Sequence, residues 1–115
     1  MGLLSFLLGG AGSTEPLADV QAKVRQGQAV LIDCREQGEW DDGHLGEAQL
    51  LPLSKLRSNP SLANQLPKDK PVYLHCRAGG RATLAARLLK KLGYDARPLR
   101  QGFETLARSG FTRAT

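Results

Sequence analysis

The stretch from Pro71 to Gly93 constrains the fold of this chain more than any other. Val72-Tyr73-Leu74 is a short apolar run with β-branched and aromatic character, the pattern of a buried strand. Leu84, Ala85, Leu88, Leu89 and Leu92 then recur at helical spacing, with Lys90 and Lys91 in the last turn and Gly93 at the stop position. Between strand and helix lies Cys76-Arg77-Ala78-Gly79-Gly80-Arg81. This order places a thiol at the carboxyl end of a strand, just ahead of a helix N-terminus.

Three effects converge on that thiol. The first turn of a helix leaves N–H groups unpaired, and the helix dipole favours negative charge there. Gly79 and Gly80 allow a loop whose N–H groups turn inward as an anion nest. Arg77 and Arg81 add positive charge. All three favour thiolate, so Cys76 is expected to have a depressed pKa and to be nucleophilic near neutrality. The competing reading is a structural cysteine buried at a strand end.

The remaining chain supplies the rest of an α/β domain. Thr14-Glu15-Pro16 opens a helix carrying Leu17, Val20 and Val24 on one face, stopped by Gly27. Ala29 to Ile32 reads as a buried strand emerging into Asp33-Cys34-Arg35-Glu36, and Gln37 to Asp42 as a short helix or turn. Ala48 to Leu51 is a second short run ended by Pro52. Ser54 to Leu66 is helical, with a break at Asn59-Pro60. Ala96 to Leu99 is an edge or irregular strand containing Pro98, and the last helix runs from Phe103 through Leu106 to Gly110. Strands alternating with helices predict a mostly parallel sheet with right-handed crossovers, and ligands in such sheets bind outside the carboxyl ends of the strands. Asp33 to Glu36 and Cys76 to Arg81 both fall at that edge.

Composition narrows the function. At 115 residues the chain makes one domain, and its net charge of +5 favours anionic ligands. One Trp, two Tyr and three Phe are too few for a nucleic-acid stacking platform. Two cysteines without a C-x-x-C pair, even with His44 and His75, give no metal-ligand spacing, so neither a metal nor another cofactor is expected. Residues 1–13 form an apolar, Gly-rich segment without a basic start and too short to span a membrane, and residues 14–115 form the domain. The segment is read as packed on the domain or a disordered tail, without stable membrane insertion, and the protein as cytoplasmic.

Taken together, Leu31-Ile32-Asp33-Cys34-Arg35-Glu36, Glu39-Trp40, Gly43-His44-Leu45, Pro52-Leu53 and Cys76-Arg77-Ala78-Gly79-Gly80-Arg81 resemble a single-domain rhodanese, in order and spacing, over roughly residues 14 to 111. The resemblance implies a five-stranded parallel sheet with helices on both faces. It also implies sulfur transfer: a thiolate takes the outer sulfur of thiosulfate or a persulfide donor and passes it to cyanide or a thiol, a protein acceptor included. Cys76 matches the sulfur carrier, Arg77 to Arg81 the loop whose N–H groups surround the persulfide, and Arg77 or Arg81 the group holding an anionic donor. Two places depart from the family's pattern. Gly46-Glu47-Ala48 stands where the family has an apolar residue and Pro-Gly-Ala, and Gln101-Gly102 where it often has Gly-Gly.

Among supporting residues, Asp33 is expected to hydrogen-bond backbone near the active loop, and Arg35 to pair with Glu36 or rim the pocket. Trp40 is read as core and His44 as a loop brace. His75 should face away from Cys76, because successive strand side chains alternate. Cys34 is read as a buried inert thiol, with a disulfide to Cys76 as the lesser alternative. Two rival functions stand beside sulfur transfer. One is a cysteine phosphatase or arsenate reductase, whose His-Cys-x5-Arg signature differs from the four residues between Cys76 and Arg81. The other is a non-catalytic interaction module.

Overall fold

The computed structural model describes residues 12–115, so most of the apolar segment 1–13 lies outside the described residues. Helix α1 (Leu17–Arg25) leads into strand β1 (Val30–Asp33), helix α2 (Gln37–Asp42), and strands β2 (His44–Leu45) and β3 (Ala48–Leu50). Helix α3 (Leu53–Ser58) and a 3-10 turn (Pro60–Gln65) precede strand β4 (Val72–His75) and helix α4 (Gly80–Lys91). Strand β5 (Ala96–Pro98), helix α5 (Phe103–Ala107) and strand β6 (Arg113–Ala114) complete the chain.

The main sheet is parallel with order β3-β1-β4-β5. It has four strands where five were expected. The fifth position is a single parallel bridge between Ser13 and Leu99, with the Ser13 N–H donating to the Pro98 carbonyl at 2.6 Å. Pro98 itself lacks an N–H, so β5 cannot donate there, and it lies at the margin of the four-stranded ladder. Strands β2 and β6 form a separate antiparallel pair.

Alternation along the two central strands sorts the core into two layers. Ile32 and Cys34 from the β1 chain and Val72, Leu74 and Cys76 from the β4 chain pack against α3, the 3-10 turn and α4. Leu31 and Tyr73 face the other way, against Val20 of α1 and Phe103 and Leu106 of α5. Each fully buried aliphatic side chain contributes about 1.5–3 kcal/mol, and that burial fixes the register of the strands that end at the loop.

Helix boundaries follow local chemistry with one exception. The first helix begins as expected at Pro16, but Thr14 does not cap it; the Ser13 hydroxyl accepts the Glu15 N–H instead. Gly27 and Gly93 both take positive φ, +73° and +95°, one just past α1 and the other just past α4. Among the described residues no helix is long and apolar enough to cross a membrane.

Candidate active site

The loop between β4 and α4 closes around the Cys76 sulfur. The Gly79 N–H donates to Sγ at 2.9 Å and the Ala82 N–H, from the first turn of α4, at 3.4 Å. Gly79 makes this geometry with φ +101°, a left-handed conformation that glycine adopts without strain. The neighbouring Cys34 thiol, together with the N–H groups of Ala82, Ala78 and Gly79, outweighs the opposing effect of burial and lowers the Cys76 thiol from 9.0 to about 5. At neutral pH the sulfur is therefore a thiolate in a nest of donors. Both cysteines are free thiols.

The two arginines of the loop occupy different electrostatic situations. Arg81 forms a bidentate ion pair with Glu39, at 2.5 and 3.0 Å, and this pairing lowers the Glu39 carboxyl to about 2. Arg77 is exposed and has no carboxylate partner among the described residues. A cavity of about 210 Å³ opens beside it, with Phe103, Gly43 and Asp42 in its lining. The other cations there are already engaged, Arg35 by Asp33 and Arg113 by Glu104. A second, apolar groove lined by Leu56, Leu88 and Leu92 lies at the opposite end of α4.

The buried acid at the end of β1 serves a neighbour. Asp33 accepts the Arg35 backbone N–H at 2.9 Å and its guanidinium at 2.7 and 3.0 Å, and does not bond the active loop. Arg35 pairs with Asp33, not with Glu36, and also donates to the Gly43 carbonyl at 2.8 Å. Its guanidinium lies 4.2 Å from the centroid of the Phe103 ring, and both side chains line the cavity. Glu36 instead caps α2 in a reciprocal capping box with Glu39. One carboxylate thus anchors a helix start and holds Arg81, a link across 42 residues that no local sequence signal reveals.

His75 lies on the face opposite Cys76, fully buried beside Asp33, with Nε2 3.8 Å from Oδ2. Burial pushes its pKa down, so the ring is neutral. His44 braces its loop, its Nδ1 lying 3.0 Å from the Trp40 carbonyl. Trp40 is only partly buried and outside both core layers; it stacks on the His44 ring at 3.7 Å.

Both departures from the expected pattern have structural roles. Glu47 accepts from the Thr112 N–H at 3.0 Å and from Arg25 at 2.8 Å, tying its loop to the last strand. Gly102 presses against the active loop: a Cβ there would meet the Arg77 carbonyl oxygen at 1.8 Å. The adjacent Phe103 N–H donates to the Cys76 carbonyl at 2.9 Å, so this contact is pinned.

Comparison with known proteins places this architecture. The rhodanese-like domain model matches residues 16–109. The chain is 40% identical over 80 residues to a probable adenylyltransferase/sulfurtransferase, MoeZ, of Mycobacterium tuberculosis, covering 69% of this chain and 20% of that protein. It is 37% identical over 76 residues to a tRNA sulfurtransferase of Desulfurococcus amylolyticus, covering 66% of this chain and 14% of that protein. It therefore spans a fifth or less of the length of these two relatives. The human single-domain sulfurtransferase TSTD1 superposes with a TM-score of 0.68 at 26% identity, over 80% of this chain and 92% of that one. Because the family match runs from the start of α1 past the end of α5, the chain belongs to the rhodanese-like domain family.

Proposed function

We propose that this protein is a sulfurtransferase that carries a sulfane sulfur on Cys76, taking it from a small anionic donor such as thiosulfate. The observation that supports this reading best is the Cys76 thiolate cradled by the Gly79 and Ala82 N–H groups. In the first half-reaction the thiolate attacks the outer sulfur of thiosulfate. A new S–S bond forms on Cys76, the donor's S–S bond breaks, and sulfite leaves with the electron pair. In the second, cyanide or a thiolate attacks the outer sulfur, and the Cys76 thiolate leaves.

The loop's inward N–H groups suit the terminal sulfur of a persulfide, whose charge they would stabilise as they stabilise the thiolate. Arg77 is the cation free to hold the sulfonate end of the donor, while Arg81 is held by Glu39 and shapes the loop. A protein acceptor and a cytoplasmic location belong to the same proposal.

Mass spectrometry after incubation with thiosulfate tests it. One added sulfur atom is expected, removable by cyanide and absent in Cys76→Ser. Retention of that sulfur in Cys76→Ser but not in Cys34→Ser would move the site to the other cysteine. Aryl phosphate serves as the counter-substrate, and Cys76-dependent hydrolysis without sulfur loading would favour a phosphatase instead.

A further inference from the structure

The buried thiol next to the proposed carrier has no part in the mechanism above, and its surroundings give it one. Cys34 follows Asp33, which pairs in parallel register with His75, so Cys34 and Cys76 occupy the next paired positions on adjacent strands. Both side chains enter the same core layer. The Cys34 Sγ lies 3.1 Å from the His75 carbonyl oxygen, and the same oxygen accepts the Cys34 backbone N–H at 3.0 Å. That carbonyl therefore stays hydrogen-bonded when the S–H turns away from it, and one strand across in the same core layer the neighbouring polar side chain is Cys76.

We propose that Cys34 is a positioning residue for sulfur transfer, its S–H swinging from the His75 carbonyl to the Cys76 sulfur whenever that sulfur carries negative charge. The inference rests on Cys76 being the sulfur carrier and assigns a role to its neighbour. Asp33 on the same chain segment, His75 and Cys76 on the β4 chain and Arg81 on α4 are the titratable or charged groups around Cys34. The α3 side chains in this layer, Leu53 and Leu56, carry no charge. The neighbouring Cys76 sulfur, burial, and the Asp33 charge all hold the Cys34 proton in place, and Arg81 opposes them. Cys34 thus remains a donor throughout the cycle and does not become a competing nucleophile.

The two half-reactions feel this donor differently. During loading, Cys76 loses charge as it attacks, so a hydrogen bond to the thiolate raises the ionised fraction but blunts each thiolate. During discharge, the acceptor bonds the outer sulfur, the outer S–Sγ bond breaks, and the electron pair collects on Sγ. The Cys34 S–H meets that pair as it forms. A thiol of lower pKa is the better leaving group and the weaker nucleophile, with rate sensitivities of roughly half the pKa change. Cys34 is therefore a device for giving sulfur away.

The test uses Cys34→Val and Cys34→Ala, which remove the donor, and Cys34→Ser, which restores one. The pH dependence of Cys76 alkylation, measured without any sulfur compound, gives its ionisation midpoint. Single-turnover discharge of the loaded protein to cyanide gives the leaving-group effect. In Cys34→Val and Cys34→Ala the midpoint is expected to rise by about one pH unit and discharge to slow about threefold. Loading above about pH 9, where every form is ionised, should not slow. Cys34→Ser should keep both values near wild type. An unmoved midpoint in the folded apolar variants, or a serine variant shifted as far as valine, overturns the assignment. Failure of the wild type to load sulfur at all overturns the functional reading instead, and the alkylation midpoints remain readable either way.

Discussion

Replacing Gly102 by Ala is expected to damage the thiol cradle although Gly102 makes no hydrogen bond to the sulfur. The added Cβ would sit 1.8 Å from the Arg77 carbonyl oxygen and 2.7 Å from its carbon. Non-bonded contacts of that kind do not close below roughly 3 Å, so the loop or α5 must move by about 1 Å or more. Movement of α5 is opposed by the 2.9 Å bond from the Phe103 N–H to the Cys76 carbonyl. The strain falls on Arg77 and Ala78, at the base of the cradle. Overpacking of this kind costs about 1–3 kcal/mol of stability, and displacement near 1 Å at a reacting group lowers rates by up to about 100-fold. Urea denaturation measures the first, and single-turnover loading from thiosulfate the second. Gly38→Ala is the control: it lies in α2, a Cβ there meets nothing within 4 Å, and the change should stabilise by roughly 0.5–1 kcal/mol with loading unchanged. Wild-type stability and loading in Gly102→Ala would refute the steric argument.

Three further outcomes follow from the charges. Arg77→Ala should lower kcat/KM for thiosulfate about tenfold, equivalent to about 1.4 kcal/mol, and Arg81→Ala should raise KM less, because Glu39 already occupies Arg81; steady-state kinetics that reverse this order would show Arg81 released to the donor. The Cys76 thiol is lowered to about 5, so its contribution to stability is fully present above the unfolded value near 9 and is lost as pH falls toward 5; the wild type should gain stability over Cys76→Ser between about pH 6 and pH 8 in urea melts. His75 is also depressed, by burial, and its contribution is present above the ordinary 6.5 and lost below it. His75→Leu should flatten the acid limb of the stability profile, and an unchanged limb would place the acid sensitivity elsewhere.

The parts of the site legible in sequence were those written locally. The run Val72 to Gly80 names a buried strand, a sharp glycine turn and a helix start within ten residues, and the structure assembles those elements at the Cys76 sulfur. The alternation that turns His75 away from Cys76 was equally local. What sequence missed depends on pairs far apart. Arg81 and Glu39 are separated by 42 residues, so two arginines that look alike in the loop differ in their availability. Asp33 is expected to bond backbone near the active loop; the backbone N–H it accepts is that of Arg35, whose fork of charged donors takes the rest of the carboxylate, a pairing that the position of a strand-end acid does not single out. Side-chain type places Trp40 in the core, but a six-residue surface helix gives it the His44 ring as partner. The fifth strand failed because only Ser13 bridges Leu99 among the described residues.

The β2–β6 clasp also sets an order of assembly. His44 pairs with Ala114 across seventy residues of chain, and Arg113 from that clasp lies 4.9 Å from the centroid of the Phe103 ring, which lines the cavity. The N–H donors to the Cys76 sulfur, by contrast, all lie between residues 78 and 82, and Cys34 comes beside it through the β1–β4 pair, a shorter closure than the clasp. Loop closure over the longer distance is the more demanding step. During refolding, followed by pulsed alkylation and hydrogen exchange, Cys76 is expected to gain its thiolate reactivity before the β2–β6 amides gain protection. The domain would then be reactive before it is selective, with an interval in which its sulfur chemistry is open to whatever thiol or anion is nearby.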